Sequence, residues 1–103
     1  MRIQELASYR NEKNFSSPFY AELFCDDIWG DNGEDCASVT IHPTKEGWHL
    51  HYIRTQSGIP YPFAPHTSKI VDEYEKDVND EQFYDYLLLH NLQEAFMDYI
   101  TTV

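Results

Sequence analysis

The segment Ala37-Ser38-Val39-Thr40-Ile41-His42-Pro43-Thr44-Lys45-Glu46-Gly47-Trp48-His49-Leu50-His51-Tyr52-Ile53-Arg54-Thr55 alternates apolar and polar residues on both sides of a four-residue break. Period-two alternation places successive side chains on opposite faces of a strand, so two such runs around Thr44–Gly47 form a β-hairpin. Pairing Pro43 with Trp48 puts His42 opposite His49, Ile41 opposite Leu50 and Val39 opposite Tyr52. One face then carries Val39, Ile41, Trp48, Leu50 and Tyr52. The other carries Ser38, Thr40, His42, His49 and His51. A slip of one residue would mix the two sets, so the sequence selects this register.

Upstream of the hairpin, two readings fit Ser17–Gly30. Ser17 can cap a helix with Pro18 in its first position and Gly30 at its end. Alternatively, Phe19–Cys25 is an aromatic-rich strand, which is the preferred reading. Asp26–Asp35 reads as an acidic loop with the turn signal Asp31-Asn32-Gly33. Near the N-terminus, Arg2–Lys13 has the spacing of a short helix, with Ile3, Leu6 and Ala7 apolar.

Downstream, Gln56–His66 reads as an irregular connector, because Pro60, Pro62 and Pro65 exclude a regular helix. Its Ile59, Tyr61 and Phe63 are expected to pin it to the hairpin. Thr67 or Ser68 opens a short helix to about Val78. Asn79 caps a longer one, with Gln82 three residues on in a capping-box pattern, and this helix is expected to reach Ile100. Leu88, Leu92, Ala95, Phe96, Tyr99 and Val103 share one side of it, widened by Leu89 and Ile100. The expected fold is α+β, a small antiparallel sheet built on the central hairpin and packed by the C-terminal helix. Trp48, Leu50 and Tyr52 are expected to meet Leu88, Leu92 and Phe96.

A chain of 103 residues fits one domain spanning residues 1–103. Eight Tyr, six Phe and two Trp argue for an aromatic core despite a formal net charge of −11. That charge repels nucleic acid phosphates and anionic lipid, and favours partners with a basic surface. No apolar run approaches a membrane span and no signal peptide is evident, so the expected location is cytoplasmic.

Two cysteines make no disulfide framework, and free thiols in a reducing compartment are the default. If Phe19–Cys25 pairs with the strand that begins at Cys36, however, Cys25 and Cys36 face one another and a disulfide is geometrically possible.

Three groups of residues suggest chemistry. His42, His49 and His51 share a hairpin face and are candidate ligands for zinc or another transition metal, although no fourth ligand is evident. Cys36 lies about 20 Å along the strand from His42 and is a poor partner for them. The acidic loop could collect calcium, but it lacks the spacing of an EF-hand.

From Ser68 to Val103 nine carboxylates stand against two lysines. Glu73, Asp77, Glu81 and Asp85 recur every four residues, a row about 6 Å apart on a continuous helix. Asn79 is placed to break that helix and split the row. No phosphate loop, GxSxG, HExxH or CxxC is present, and no catalytic set emerges.

In size and charge the chain is similar to small phage- or plasmid-encoded proteins that mimic DNA and block restriction, repair or CRISPR effector enzymes. The resemblance is one of composition and assigns no residues.

The expected function is a non-enzymatic interaction module that docks on a basic protein, including the case of a nucleic-acid-mimicking inhibitor. Its anchors would be Glu73, Asp77, Glu81 and Asp85, with Asp31, Glu34 and Asp35 as a second patch. The alternatives are a small metal-binding protein or enzyme using His42, His49 and His51, and a subunit of an obligate complex. An exposed aromatic patch around Trp29, Tyr61 and Phe63 would favour the last.

Overall fold

The computed structural model describes residues 2–12, 15, 17–58 and 67–102. Four strands, β1 (Phe19–Ile28), β2 (Gly33–Pro43), β3 (Trp48–Gly58) and β4 (Thr67–Val78), form one antiparallel sheet in sequence order. Helix α1 (Ile3–Glu12) precedes the sheet; α2 (Asp80–Leu89) and α3 (Gln93–Thr102) follow it. The architecture is α+β, as the sequence implies.

The hairpin register is the one selected by the alternation. Pro43 pairs with Trp48, His42 with His49, Ile41 with Leu50 and Val39 with Tyr52. In the turn, the Thr44 amide donates to the Gly47 carbonyl at 2.9 Å, and the Gly47 amide donates to Thr44 Oγ1 at 3.0 Å. Phe19–Cys25 is strand, as preferred, and continues to Ile28. The cysteines are bonded to each other, where free thiols are expected; they sit directly opposite across β1 and β2 with Cα atoms 4.0 Å apart.

Four expectations of secondary structure are overturned. The acidic stretch Asp26–Asp35 is mostly strand, and only Trp29–Asn32 turn, with Trp29, Gly30 and Asp31 at positive φ. Residues 67–78 are an edge strand and not a helix. An edge strand needs a partner on one side only and tolerates a charged sequence. The long C-terminal helix is two helices, because Asn91 takes φ 55° and the Leu92 amide reaches back to the Leu87 carbonyl at 2.8 Å. Asn accepts a left-handed conformation more readily than most residues. Finally, β3 extends through Gln56 to Gly58, so the connector is shorter than expected. The connector residues Ile59, Tyr61 and Phe63 lie outside the described residues.

Asn79 does cap α2. The Gln82 amide donates to Asn79 Oδ1 at 2.8 Å and the Asn79 amide donates to Gln82 Oε1 at 3.0 Å. The two bonds satisfy orphan donors at the helix start, so the chain turns from β4 into α2 at this point.

The helices lie over one face of the sheet at its Pro43–Trp48 end. The core joins Val39, Ile41, Trp48 and Leu50 of the hairpin to Leu6 of α1, Phe83 and Leu87 of α2, and Phe96 and Ile100 of α3. The Trp48 ring stacks on Phe83 at 4.5 Å and meets Phe96 edge-on at 5.7 Å. Its indole N–H donates to Asp80 at 2.8 Å, and Asp80 also pairs with Arg10 of α1. One carboxylate thus ties α1, α2 and β3 together inside the aromatic cluster. The α2–α3 break shifts the helical phase. Leu87 is buried, while Leu88 and Leu89 are exposed and Leu92 and Phe96 remain in the core.

The molecule measures 53 × 23 × 22 Å, with a radius of gyration of 16.4 Å. A compact chain of this length would have a radius near 13 Å. Among the described residues, the sheet runs on beyond its helices. Its far end closes where Gly33 meets Gly58. Gly58 has φ +120°, and a Cβ on Gly33 would strike the Ser57 carbonyl and the Trp29 ring. Both positions therefore require glycine.

Candidate functional site

Alternation and register sort every strand residue onto one of two faces. The face away from the helices carries Glu22 and Asp27 of β1, Glu34 of β2, and Glu73, Glu75 and Asp77 of β4. It also carries His42, His49 and His51. The strand cations Arg54, Lys69 and Lys76 all fall on the opposite, helix-bearing face, where they pair in register with Ala37 and Asp72, Gln56, and Leu50. The open face therefore holds six carboxylates and three imidazoles with no lysine or arginine from any strand.

Neighbouring strands bring the imidazoles and carboxylates into contact. His49 Nδ1 lies 2.7 Å from Asp77 and its Nε2 lies 3.0 Å from Glu75. His51 Nε2 lies 2.6 Å from Glu73. A neutral imidazole has a single N–H, so only the imidazolium can donate to both partners of His49. Asp77 first, then Glu75, hold the His49 pKa above its ordinary value, and His49 in turn holds the Glu75 carboxyl below its own. The His42 and His49 rings lie side by side with centroids 5.0 Å apart.

These contacts commit His49 and His51 to carboxylates. Among the described residues, one set of three or more His, Cys, Asp or Glu side chains brings its ligand atoms within 4.8 Å of one another: Cys25, Glu34 and Cys36. The three proposed metal-ligating histidines do not form such a set.

The predicted anchors are distributed as follows. Glu73 and Asp77 lie on the open face, two residues either side of Glu75 along β4. Glu81 and Asp85 are exposed on α2, which packs against the other side of the sheet, so the expected row of four is divided between two surfaces. Asp31 is exposed in the β1–β2 turn and Glu34 is exposed on the open face.

Asp35 does not belong to a docking patch. It is buried and accepts two hydrogen bonds from Arg54, at 2.9 and 2.6 Å. The guanidinium holds the Asp35 carboxyl below the usual carboxylate range. Arg54 also lies over the Phe24 ring at 5.6 Å. Trp29, expected as part of an exposed aromatic patch, is half-buried with its ring against Gly33; Tyr61 and Phe63 lie outside the described residues.

Glu75 falls outside the helical spacing expected of this segment, which selects Glu73 and Asp77 and skips the residue between them. The period-two signal was present: Glu73, Glu75 and Asp77 alternate with Asp72, Tyr74, Lys76 and Val78. Glu22 and Asp27 carry no comparable signal, because a bulge at Leu23 shifts the phase between them.

No described helix is long and apolar enough to cross a membrane. No protein-family model, curated protein or solved structure matches the chain.

Proposed function

We propose that the open face of the sheet is a docking surface for a basic protein, and that the chain acts there as a competitor for nucleic acid. The supporting observation is the segregation of charge: six carboxylates on one face and every strand lysine and arginine on the other. Glu73, Glu75 and Asp77 stand about 6.8 Å apart, two strand residues each. This is near the separation of successive phosphates along an extended nucleic acid strand. The sheet presents them on a hydrogen-bonded scaffold, so little backbone freedom would be lost on docking. A cationic partner would displace the hairpin imidazoles from these carboxylates or bind beside them. The reading requires no catalytic group on this chain.

The test is binding to a defined cationic probe, a histone-tail peptide rich in lysine and arginine. Affinity is expected to fall at least about tenfold between 50 and 200 mM salt, because exposed charges are screened over such a range. The triple variant Glu73→Gln, Glu75→Gln, Asp77→Asn is expected to lose a similar factor. Duplex DNA should compete for the same peptide. The double variant Glu81→Gln, Asp85→Asn, altered on the helical side, should bind as the parent does. Binding insensitive to salt and to the triple variant rejects the proposal.

A further inference from the structure

Cys25 and Cys36 lie at a cross-strand pair on the open face, and Glu34 precedes Cys36 by two residues, so all three side chains emerge on the same side. Glu34 Oε2 is 3.8 Å from each sulfur. The ligand atoms of the three residues lie within 4.8 Å of one another. A disulfide sulfur has no proton to donate, so no hydrogen bond explains a carboxylate poised evenly over both sulfurs. Asp27, the cross-strand partner of Glu34, adds negative potential on the same face. Cys25 and Glu34 are exposed and Cys36 is half-buried, so reductant and ion both have access.

We propose that reduction of the Cys25–Cys36 bond converts this group into a binding site for a thiophilic divalent cation of the zinc class. Cys25, Cys36 and Glu34 supply three ligands and solvent supplies the fourth. Zinc sits about 2.3 Å from thiolate sulfur and about 2.0–2.2 Å from carboxylate oxygen, so tetrahedral ligands of these kinds are separated by about 3.5–3.8 Å. The observed carboxylate–sulfur separations of 3.8 Å are close to that spacing, and once the bond is reduced the two sulfurs part from bonding distance to about 3.8 Å by rotation of the cysteine side chains.

The switching step is a two-electron reduction by a dithiol. The S–S bond takes up two electrons and two protons to give two thiols, and the reductant closes to its own disulfide. The cation then displaces both thiol protons to solvent and binds the thiolates together with the Glu34 carboxylate. Oxidation re-forms the S–S bond and removes two ligands at once, which releases the ion. His49 takes no part, since both its nitrogens are committed to Asp77 and Glu75, and no hairpin histidine belongs to the Cys25, Glu34 and Cys36 group.

The test uses the full chain, reduced anaerobically with a trialkylphosphine and titrated with zinc by calorimetry and with cobalt(II) by absorption. Reduced protein is expected to bind one equivalent and show a thiolate-to-cobalt charge-transfer band; the disulfide form should show none. Cys36→Ser should abolish the band. Glu34→Ala should keep it while affinity falls at least about tenfold. His49→Ala should leave band and affinity unchanged. Circular dichroism reports whether each sample keeps its strands. The proposal is overturned by a reduced, folded protein without the band, or by a reduced protein that has lost its sheet. Undiminished affinity in Glu34→Ala overturns it too, as does loss of binding in His49→Ala, which would move the ion to the imidazoles.

Discussion

At the Pro43–Trp48 end of the sheet, three helices close over one face, and Trp48, Phe83 and Phe96 are almost wholly removed from solvent. At the Ile28–Gly58 end no described helix reaches the sheet. That end is held by different means: the Cys25–Cys36 bond, the Arg54–Asp35 pair, and the Trp29 ring on Gly33. The same four antiparallel strands run through both regions, so each has a backbone ladder. What differs is the source of cohesion. One end relies on apolar burial, which grows with area and needs no exact partner. The other relies on a few specific links, each of which a single substitution removes.

The sharpest way to break this contrast is to truncate an aromatic at each end. Phe96→Ala opens a cavity where Phe96 meets Phe19, Trp48 and Phe83, and should cost about 3–5 kcal/mol in urea denaturation. Phe24→Ala, half-buried near Arg54, should cost about 1 kcal/mol. Equal losses would show that the far end is as well packed as the near one. Within the helical side, Leu92→Ala should cost about 2–5 kcal/mol because Leu92 is buried. Leu88→Ala should stay within about 0.5 kcal/mol because Leu88 is exposed.

Next in size is loss of the disulfide. The bond closes a segment with a sequence separation of 11. On a chain-entropy basis a loop of that length contributes about 2–3 kcal/mol. Cys25→Ser with Cys36→Ser should lower the denaturation midpoint accordingly. Hydrogen exchange should then quicken first in β1 and β2 near the Trp29 turn, while amides around Val39 and Leu50 hold. Uniform quickening along the sheet would show that the two ends unfold as one unit.

The parts legible in the sequence are those where two signals agree. The central hairpin combines strict alternation with a short turn, and its register followed from matching the apolar sets. Asn79 and Gln82 likewise form a capping pair whose geometry depends on a fixed spacing. β4 was not legible because Glu73 and Asp77 fit a period of four as readily as a period of two, and Thr67-Ser68 resembles a helix start. The break at His90–Asn91 carries no Gly or Pro, so periodicity alone runs the helix through it and puts Leu88 in place of Leu87 on the buried stripe. The strand character of Asp26–Asp35 depends on pairing: Asp35 is tolerated inside because Arg54, distant in sequence, is its principal partner. For the candidate site, the hairpin histidines and two of the β4 acids are visible in the sequence, but their contact across β3 and β4 is not, since the second of those strands also carries the spacing of a helix.

A smaller perturbation tests how the near end is ordered. Asn79→Ala removes the side-chain acceptor that Gln82 uses and should cost about 1 kcal/mol. The effect should localise to α2 and to its packing on Trp48, and Asn79→Ser should recover most of it. Equal loss in the serine variant would show that the residue acts through something other than its cap.

The smallest effect separates the two faces by pH. His49 has a folded pKa raised above its ordinary 6.5 by Asp77 and Glu75. A raised histidine pKa gives stabilisation that is complete below the unfolded value and is lost as pH rises through the folded value. Glu75 is shifted the other way, below its ordinary 4.5, so its share is present above that value and is lost as pH falls through the folded one. The ion-pair contribution therefore peaks between about pH 4.5 and 6.5 and fades above it. Its size should be that of an exposed ion pair, which salt diminishes further. The measurement is the difference in thermal midpoint between the parent and the Glu75→Gln, Asp77→Asn variant at pH 5.5 and 8.5. The gap should narrow at the higher pH, because neutral His49 has lost one of its two donors. A gap that widens with pH would mean that the imidazole contributes nothing to the sheet and that the carboxylates of the open face are held apart by something else.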